Sequence, residues 1–316
     1  MQQIEQACAR LGIAFQLIDT HSGYVAELSK EGRTVVLGVG PINAYPLNSA
    51  TAVSLAQDKG YAAMLLRRAG LPVPEGDYFF IANAGKQLRN TGKGVADAIR
   101  YAKELGYPLI AKPLKGSRGN GVQPVYDETD LRTHLRRLSK QHYAAMLQRP
   151  VYGVEYRVFA IDGVPKFMYT KQAQALNFDS VVEFHNFLKE ENQRRRAAYL
   201  LPYEINSGFV KHLKLQVSQG NSIRWSAMSV NTGQAKVADF RMQVPTHWDA
   251  VCEQVYQALN LRVFALDIIL TEGTPDQPKD FVILEVNGNP MLDSANHAPD
   301  PVFVDGLWQE ILEKSF

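Results

Sequence analysis

Apolar positions along this chain change their period several times, and each change marks an element. Helical spacing predicts a helix over 2–11, and alternation then predicts a strand over 14–19 and two strands within 24–39 around the Lys30-Glu31-Gly32 turn. A long helix is expected next, with Asn48 or Ser49 as its N-cap and Gly70 as its stop before the LPVPEG stretch. Residues 94–105, closed by Gly106, and 129–140, with Leu131, Leu135 and Leu138 on one face, read as amphipathic helices. Between them Leu109-Ile110-Ala111 reads as a buried strand with Lys112 at its end, so that 49–147 alternates helix and strand as an α/β lobe should.

Strands dominate the second half. After a short strand over 146–149, residues 154–161 and 164–171 flank Asp162-Gly163 and predict a hairpin. Alternation places Glu155, Arg157, Phe159 and Ile161 on one face of it. The stretch 172–203 is the least regular, and it carries the Arg194-Arg195-Arg196 run. Residues 208–218 and 223–230 read as strands, and Asn231-Thr232-Gly233 as a turn into a strand over 235–240. A helix over 246–260 is expected, with Thr246 and Asp249 at capping-box spacing and Trp248, Val251, Cys252, Val255 and Leu259 as its buried stripe. Two almost wholly apolar strands follow, 263–270 carrying Asp267 and 281–286 carrying Glu285, with Asn287 two residues on.

Composition narrows the class. The 316 residues, 46% hydrophobic, can bury a substantial core in two or three lobes. Lys+Arg of 34 against Asp+Glu of 32 leaves a net charge of +2, too balanced for a nucleic-acid or membrane-surface partner, so any anion site must be local. The first thirty residues lack a basic region followed by an apolar run, and nothing later approaches a membrane-spanning length of apolar residues, so a cytoplasmic protein is expected. Cys8 and Cys252 read as small buried thiols, and the histidines show no ligand spacing for zinc.

Candidate chemistry lies in three places. The run YPLIAKPLKGSRGNGV joins the strand ending at Lys112 to a loop in which Gly116, Gly119 and Gly121 permit tight turns and Lys115 and Arg118 add cations, a combination suited to phosphate. An ordinary surface turn is the alternative there. On the hairpin, Glu155 and Arg157 are either a ladder ion pair or a hydroxyl and oxyanion site. Asp267, Glu285 and Asn287 on neighbouring apolar strands form a hard oxygen set for Mg²⁺, the alternative being two acids bonded to lysines at strand ends. Gly38-Val39-Gly40 begins like a dinucleotide fingerprint, but Pro41 follows where a helix would start, and it is read as a loop.

Four stretches, in this order, resemble the ATP-grasp superfamily of carboxylate–amine ligases: NSATAVSLAQDKGYAAMLLRRAGLPVPEG, YPLIAKPLKGSRGNGV, GVEYRVFAIDG, and VFALDII with ILEVNGNP. The motifs are nearest to the ATP-grasp regions of cyanophycin synthetases and fused bacterial glutathione synthetases. The resemblance implies an α/β (α+β) ATP-grasp fold, two lobes clasping ATP: a short N-terminal piece over 1–47, a first lobe with the glycine-rich loop over 48–147, and a second lobe with the metal-binding strands over 148–316. It implies that Lys59 and Lys112 hold ATP phosphates, and that the loop of Lys115, Gly116, Ser117, Gly119 and Gly121 closes over them. Adenine would lie near Gln148, Arg149 and Val151, and the ribose would fall to Glu155. Arg157 would lie near the transferred phosphate or acyl group. Asp267, Glu285 and Asn287 would hold two Mg²⁺, with Mn²⁺ able to substitute. The second ligase domain of cyanophycin synthetase has no counterpart here, so polymer synthesis is not expected.

The expected reaction is ligation of a small carboxylate, an amino acid among the candidates, to an amine through an acylphosphate, catalysed by positioning and electrostatics without a side-chain nucleophile. A small-molecule kinase and a non-catalytic ATP-binding protein stay open as alternatives, as does a homodimer. For the carboxylate substrate the second lobe offers Arg157, Asn231, the 194–196 arginines as a partial lid or a solvated face, and Lys211, His212 and Lys214 on a strand, where Lys211 cannot share a face with the other two.

Overall fold

The computed structural model describes residues 1–82, 93–117, 119–172, 176–197, 202, 207–218, 223–225 and 236–316. Along the chain run α1 (Gln2–Leu11), β1 (Ala14–Leu17), β2 (Val25–Lys30), β3 (Arg33–Gly38), α2 (Ala50–Gln57), α3 (Lys59–Arg68), β4 (Gly76–Phe80) and α4 (Val95–Leu105). There follow β5 (Leu109–Pro113), β6 (Gln123–Val125), α5 (Glu128–Leu138), β7 (Ala144–Gln148), β8 (Val154–Ile161), β9 (Val164–Gln172), β10 (Leu176–Phe178) and α6 (Val181–Ala197). The last are α7 (Ser207–Ser218), β11 (Ile223–Trp225), β12 (Lys236–Arg241), α8 (His247–Leu259), β13 (Val263–Gly273), β14 (Pro278–Asn287) and α9 (Phe303–Glu313). Contacts divide the chain into two units: Met1–Val73 with Tyr152–Lys171 and Val237–Phe316, and Pro74–Val151 with Gln172–Lys236. These units interleave along the chain, whereas the boundaries expected from sequence, at 47 and 147, are consecutive.

The first unit is built on a five-stranded sheet in the order β12-β9-β8-β13-β14. Both faces of its central strands are buried, which is why β13 reads as a nearly unbroken apolar run. Phe159, Ile161, Phe167, Val263 and Ala265 face a core shared with α1, α9 and the small β1-β2-β3 sheet. Val158, Ala160, Phe264, Leu266 and Ile268 face one completed by α2, α3 and α8. The long helix expected over 49–70 is broken in two, because the Asp58 side chain accepts from the Gly60 and Tyr61 N–H groups and starts α3 afresh. Ser49 caps α2 through the Ala52 N–H. At Thr246 the expected capping box is not made: the residue is itself helical, and the Asp249 and Trp248 N–H groups bond to the Thr246 and Pro245 carbonyls.

One side chain ties this unit together before its chemistry begins. The Asn48 amide donates to the Val263 and Gly288 carbonyls and accepts from the Arg262 and Val263 N–H groups, joining the start of α2 to the beginning of β13 and the end of β14. Replacing Asn48 with Ala should therefore cost about 2 kcal/mol or more, since partly buried backbone groups lose their partner. A urea midpoint unchanged from wild type would reject the role.

In the second unit a four-stranded antiparallel sheet, β4-β7-β5-β6, buries Phe79, Leu109, Ala111, Ala145 and Leu147 against Ile99, Ala102, Leu131, Leu135 and Leu138 of α4 and α5. Phe178, Phe184, Leu188 and Leu213 form a separate small core under β10, α6 and α7. Here one expectation is corrected, and another, the 194–196 run as a solvated helix face, holds except at Arg195. Residues 208–218 are helical, not extended: Val210, Leu213 and Val217 recur at three and four, so Lys211 and Lys214 are a turn apart on α7 rather than on a strand. The arginine run ends a regular helix, in which Arg195 is buried and Arg194 and Arg196 are exposed. Asn231 and Arg118 lie outside the described residues. Among the described residues no helix is long and apolar enough to cross a membrane.

Candidate active site

A subset of the first unit's charged residues meets at one sheet face. Strand register sets Asp267 opposite Arg157 on one side and Glu285 on the other, and Asn287 one pair further along that face. Arg157 grips Asp267 with two bonds, Nε to Oδ1 and Nη2 to Oδ2, each 2.7 Å. Lys171 Nζ lies 2.7 Å from Asp267 Oδ1 and 2.9 Å from Glu155 Oε1, and Asn287 Nδ2 lies 3.4 Å from Asp267 Oδ2. Lys59, the first residue of α3, donates to Glu285 Oε1 at 3.0 Å. Three cations thus meet three carboxylates in a cluster whose centre is nearly dry, the Asp267 side chain being 4% exposed.

Electrostatics follow the burial. Burial alone would raise the Asp267 pKa, but Arg157 and Lys171 outweigh it and hold the carboxyl well below the usual carboxylate range. Glu155 is pushed upward, chiefly by burial and further by Asp267, against the pull of Lys171. The Arg157 guanidinium loses hydration by burial yet is held more firmly charged by Asp267. So the side-by-side pairing of Glu155 with Arg157 is not what forms; each takes a partner across the sheet. Both strand acids of the expected metal set are bonded to lysines as well, the other arrangement open from sequence.

Lys171 is the residue sequence reasoning passes over. A plain two-residue hairpin would set Glu155 opposite Thr170 and turn Lys171 to the other face. The register instead shifts between Phe159 and Ala160, so that Tyr156 pairs with Thr170 and Lys171 joins Glu155 and Asp267. The signal was Pro165, which gives no N–H to a ladder and sits beside bulges when it occurs inside a sheet.

In the second unit Lys112 and Gln148 are buried and share a sheet face, since Ile110 pairs with Gln148 and Lys112 with Met146. The opposite face holds the core. After β5 the chain turns twice, with Asn120 N–H on the Ser117 carbonyl and Val122 N–H on the Gly119 carbonyl. Gly119 and Gly121 take left-handed φ of 63° and 73°, which other residues reach only with strain. Lys115, Gly116 and Ser117 are exposed. Arg149 is turned to Glu75, 2.6 Å away, and Val151 is half-buried.

No family model matches the chain. A stretch of 125 residues is 34% identical to the carbamoyl phosphate synthase large chain of Kocuria rhizophila, covering 40% of this chain and 9% of that one. Another of 94 residues is 35% identical to the Mycobacterium tuberculosis counterpart, over 29% of this chain and 7% of that one. The chain thus spans less than a tenth of the curated relatives it matches. Among solved structures it is similar to the VanG D-Ala:D-Ser ligase of Enterococcus faecalis, with TM-score 0.52, 15% identity, and 85% of this chain and 63% of that chain covered. It is similar also to a bifunctional glutathione synthetase from Pasteurella multocida, at TM-score 0.51, 16% identity, and 99% and 44% coverage. The D-alanine–D-alanine ligase of Bacillus anthracis superposes at TM-score 0.50, 15% identity, and 84% and 67% coverage. This is the ATP-grasp fold. Within the ATP-grasp fold of this chain, the hairpin β8-β9 and the pair β13-β14 carry the buried charges, and the β5-β6 connection carries the glycine-rich loop.

Proposed function

We propose that the protein is an ATP-dependent ligase that joins a small carboxylic acid to an amine through an acylphosphate, releasing ADP and phosphate. The reading is supported most by one observation: on an ATP-grasp sheet, Asp267, Glu285 and Asn287 share a face with Arg157, and Glu285 meets Lys59. In the first step an oxygen of the substrate carboxylate forms a bond to the γ-phosphorus as the bond to ADP breaks. The amine nitrogen then attacks the acyl carbon, inorganic phosphate leaves, and the nitrogen sheds a proton. No side-chain nucleophile is needed. Lys112 and the amides of Lys115, Gly116, Ser117 and Gly119 would hold phosphate oxygens, and Arg157 would neutralise charge on the acyl phosphate.

The donor set fits a hard divalent ion in chemistry: two carboxylates and an amide oxygen. Asp267 already accepts from Arg157, Lys171 and Asn287, so Glu285, whose described bond is to Lys59, keeps the most acceptor capacity. Asn287 donates through Nδ2, which leaves Oδ1 as an acceptor. Mg²⁺ held there would supply charge neutralisation on the phosphoryl oxygens. Substrates would be small molecules, with an amino acid as the foremost acid and amine, and the exposed Arg194 and Arg196 would attract the acid. The test is a screen of acid and amine pairs for ATP-dependent phosphate release, with products weighed by mass spectrometry. Phosphate release without any mass gain equal to condensation would instead point to hydrolysis or phosphoryl transfer.

Lys112→Ala should weaken ATP binding at least tenfold, on the scale of about 1.5–3 kcal/mol for a hydrogen bond to a charged group. Calorimetry would show it; an unchanged affinity would remove Lys112 from the phosphate site.

A further inference from the structure

On α5, behind the glycine-rich loop, sits a histidine that the proposed chemistry does not use. His134 is 2% exposed, and its Nε2 lies 3.0 Å from the Gly121 carbonyl oxygen. A carbonyl only accepts, so Nε2 must carry the proton. The other nitrogen, Nδ1, faces Arg137 Nη2 at 3.3 Å, a donor, and must therefore be bare. The Gly121 and Arg137 contacts call for the same neutral tautomer, and the ring also makes a backbone hydrogen bond with Ala111 of β5. Burial, helped by Arg137, lowers the imidazole pKa to about 4, so this arrangement holds through neutral pH. Arg137 Nη2 also reaches Gln123 Oε1, at 3.3 Å, on the first residue of β6.

Gly121 is fixed on its other sides too. Its backbone is left-handed, and a Cβ there would lie 2.9 Å from Leu138 Cδ2 and 3.1 Å from Pro113. With Val122 N–H bonded to the Gly119 carbonyl, the exit of the loop is clamped at 119–122, while 115–117 stand exposed. Because Gly121 is held at the loop's exit, the bond there fixes the point from which the exposed residues 115–117 extend. We propose that His134 is a positioning residue, holding the Gly121 carbonyl so that Lys115, Gly116 and Ser117 are presented to phosphate from a fixed anchor. The proposal rests on the reading of this loop as a phosphate site. It accounts for a buried ring that bonds to the backbone at both Gly121 and Ala111, tying the loop exit to β5, where a leucine would have served the core.

Two variants of the full chain test it, His134→Leu, which removes the donor, and His134→Gln, whose Nε2 can restore it. Amide hydrogen exchange without nucleotide should quicken in 114–122 for His134→Leu, stay unchanged in 95–105 and 144–148, and return towards wild type in His134→Gln. Calorimetry with Mg·ATP should show about a tenfold weaker affinity for His134→Leu and less than about threefold for His134→Gln. Unchanged exchange in 114–122, loss of protection spread through α4 and β7, or a glutamine variant as weak as the leucine one would each overturn the anchor. If wild type binds no Mg·ATP, the ligase reading falls, and the exchange data still decide whether His134 holds the loop.

Discussion

Arg157→Met should destabilise the first unit by about 3 kcal/mol, towards the lower end of what halving a buried ion pair costs. Asp267 would keep Lys171 but lose both guanidinium bonds, in surroundings that leave its side chain 4% exposed. The cost is that of an under-compensated charge rather than the worth of the pair, so Asp267→Asn in the same background should recover part of it. pH supplies a second check with a definite sign. Asp267 has a depressed folded-state pKa, so its stabilisation is present above the ordinary value of about 3.9 and is lost as pH falls through the folded one. The gap between wild type and Arg157→Met should therefore stay level from about pH 5 to 8 and narrow only in strong acid. Urea unfolding measures both; a loss below about 1 kcal/mol would mean that the pair behaves as a solvated surface bridge.

How much of this could be read from the sequence depends on whether the cause was local. The two apolar strands with one acid each were legible: β13 because burial on both faces leaves Asp267 no company but apolar neighbours within its strand, β14 because Glu285 stands alone in the run 281–286. The break at Asp58 was not, since a cap in mid-helix looks like any polar position on a solvated face. Lys171 was hidden by a single extra residue in β9, and a one-residue slip reverses the facing of everything beyond it. In α7 the period of three and four was present at Val210, Leu213 and Val217, but in so short a stretch it competes with alternation. Charge partners were the least legible of all. Arg157 finds Asp267, 110 positions away, and Lys59 finds Glu285, 226 away, so the pairing belongs to sheet order and not to local pattern.

Glu285→Gln should abolish Mg²⁺-dependent turnover, with the fold kept. Side-chain volume hardly changes, and Lys59 can still donate to the amide oxygen, so the contact at 3.0 Å has a neutral replacement. The Glu285 side chain is 24% exposed, so replacing its charge with a neutral amide there carries a limited structural cost. What disappears is the negative charge that a divalent ion needs in its shell. Asp267 cannot make good the loss while its oxygens are engaged by Arg157 and Lys171. Turnover should fall by at least about a hundredfold at ordinary Mg²⁺, and raising Mg²⁺ or supplying Mn²⁺ should restore a fraction of it. The far-ultraviolet spectrum and unfolding midpoint should stay close to wild type. If activity persists at ordinary Mg²⁺ with the fold intact, the ion is held elsewhere, and Glu285 is left as the structural partner of Lys59.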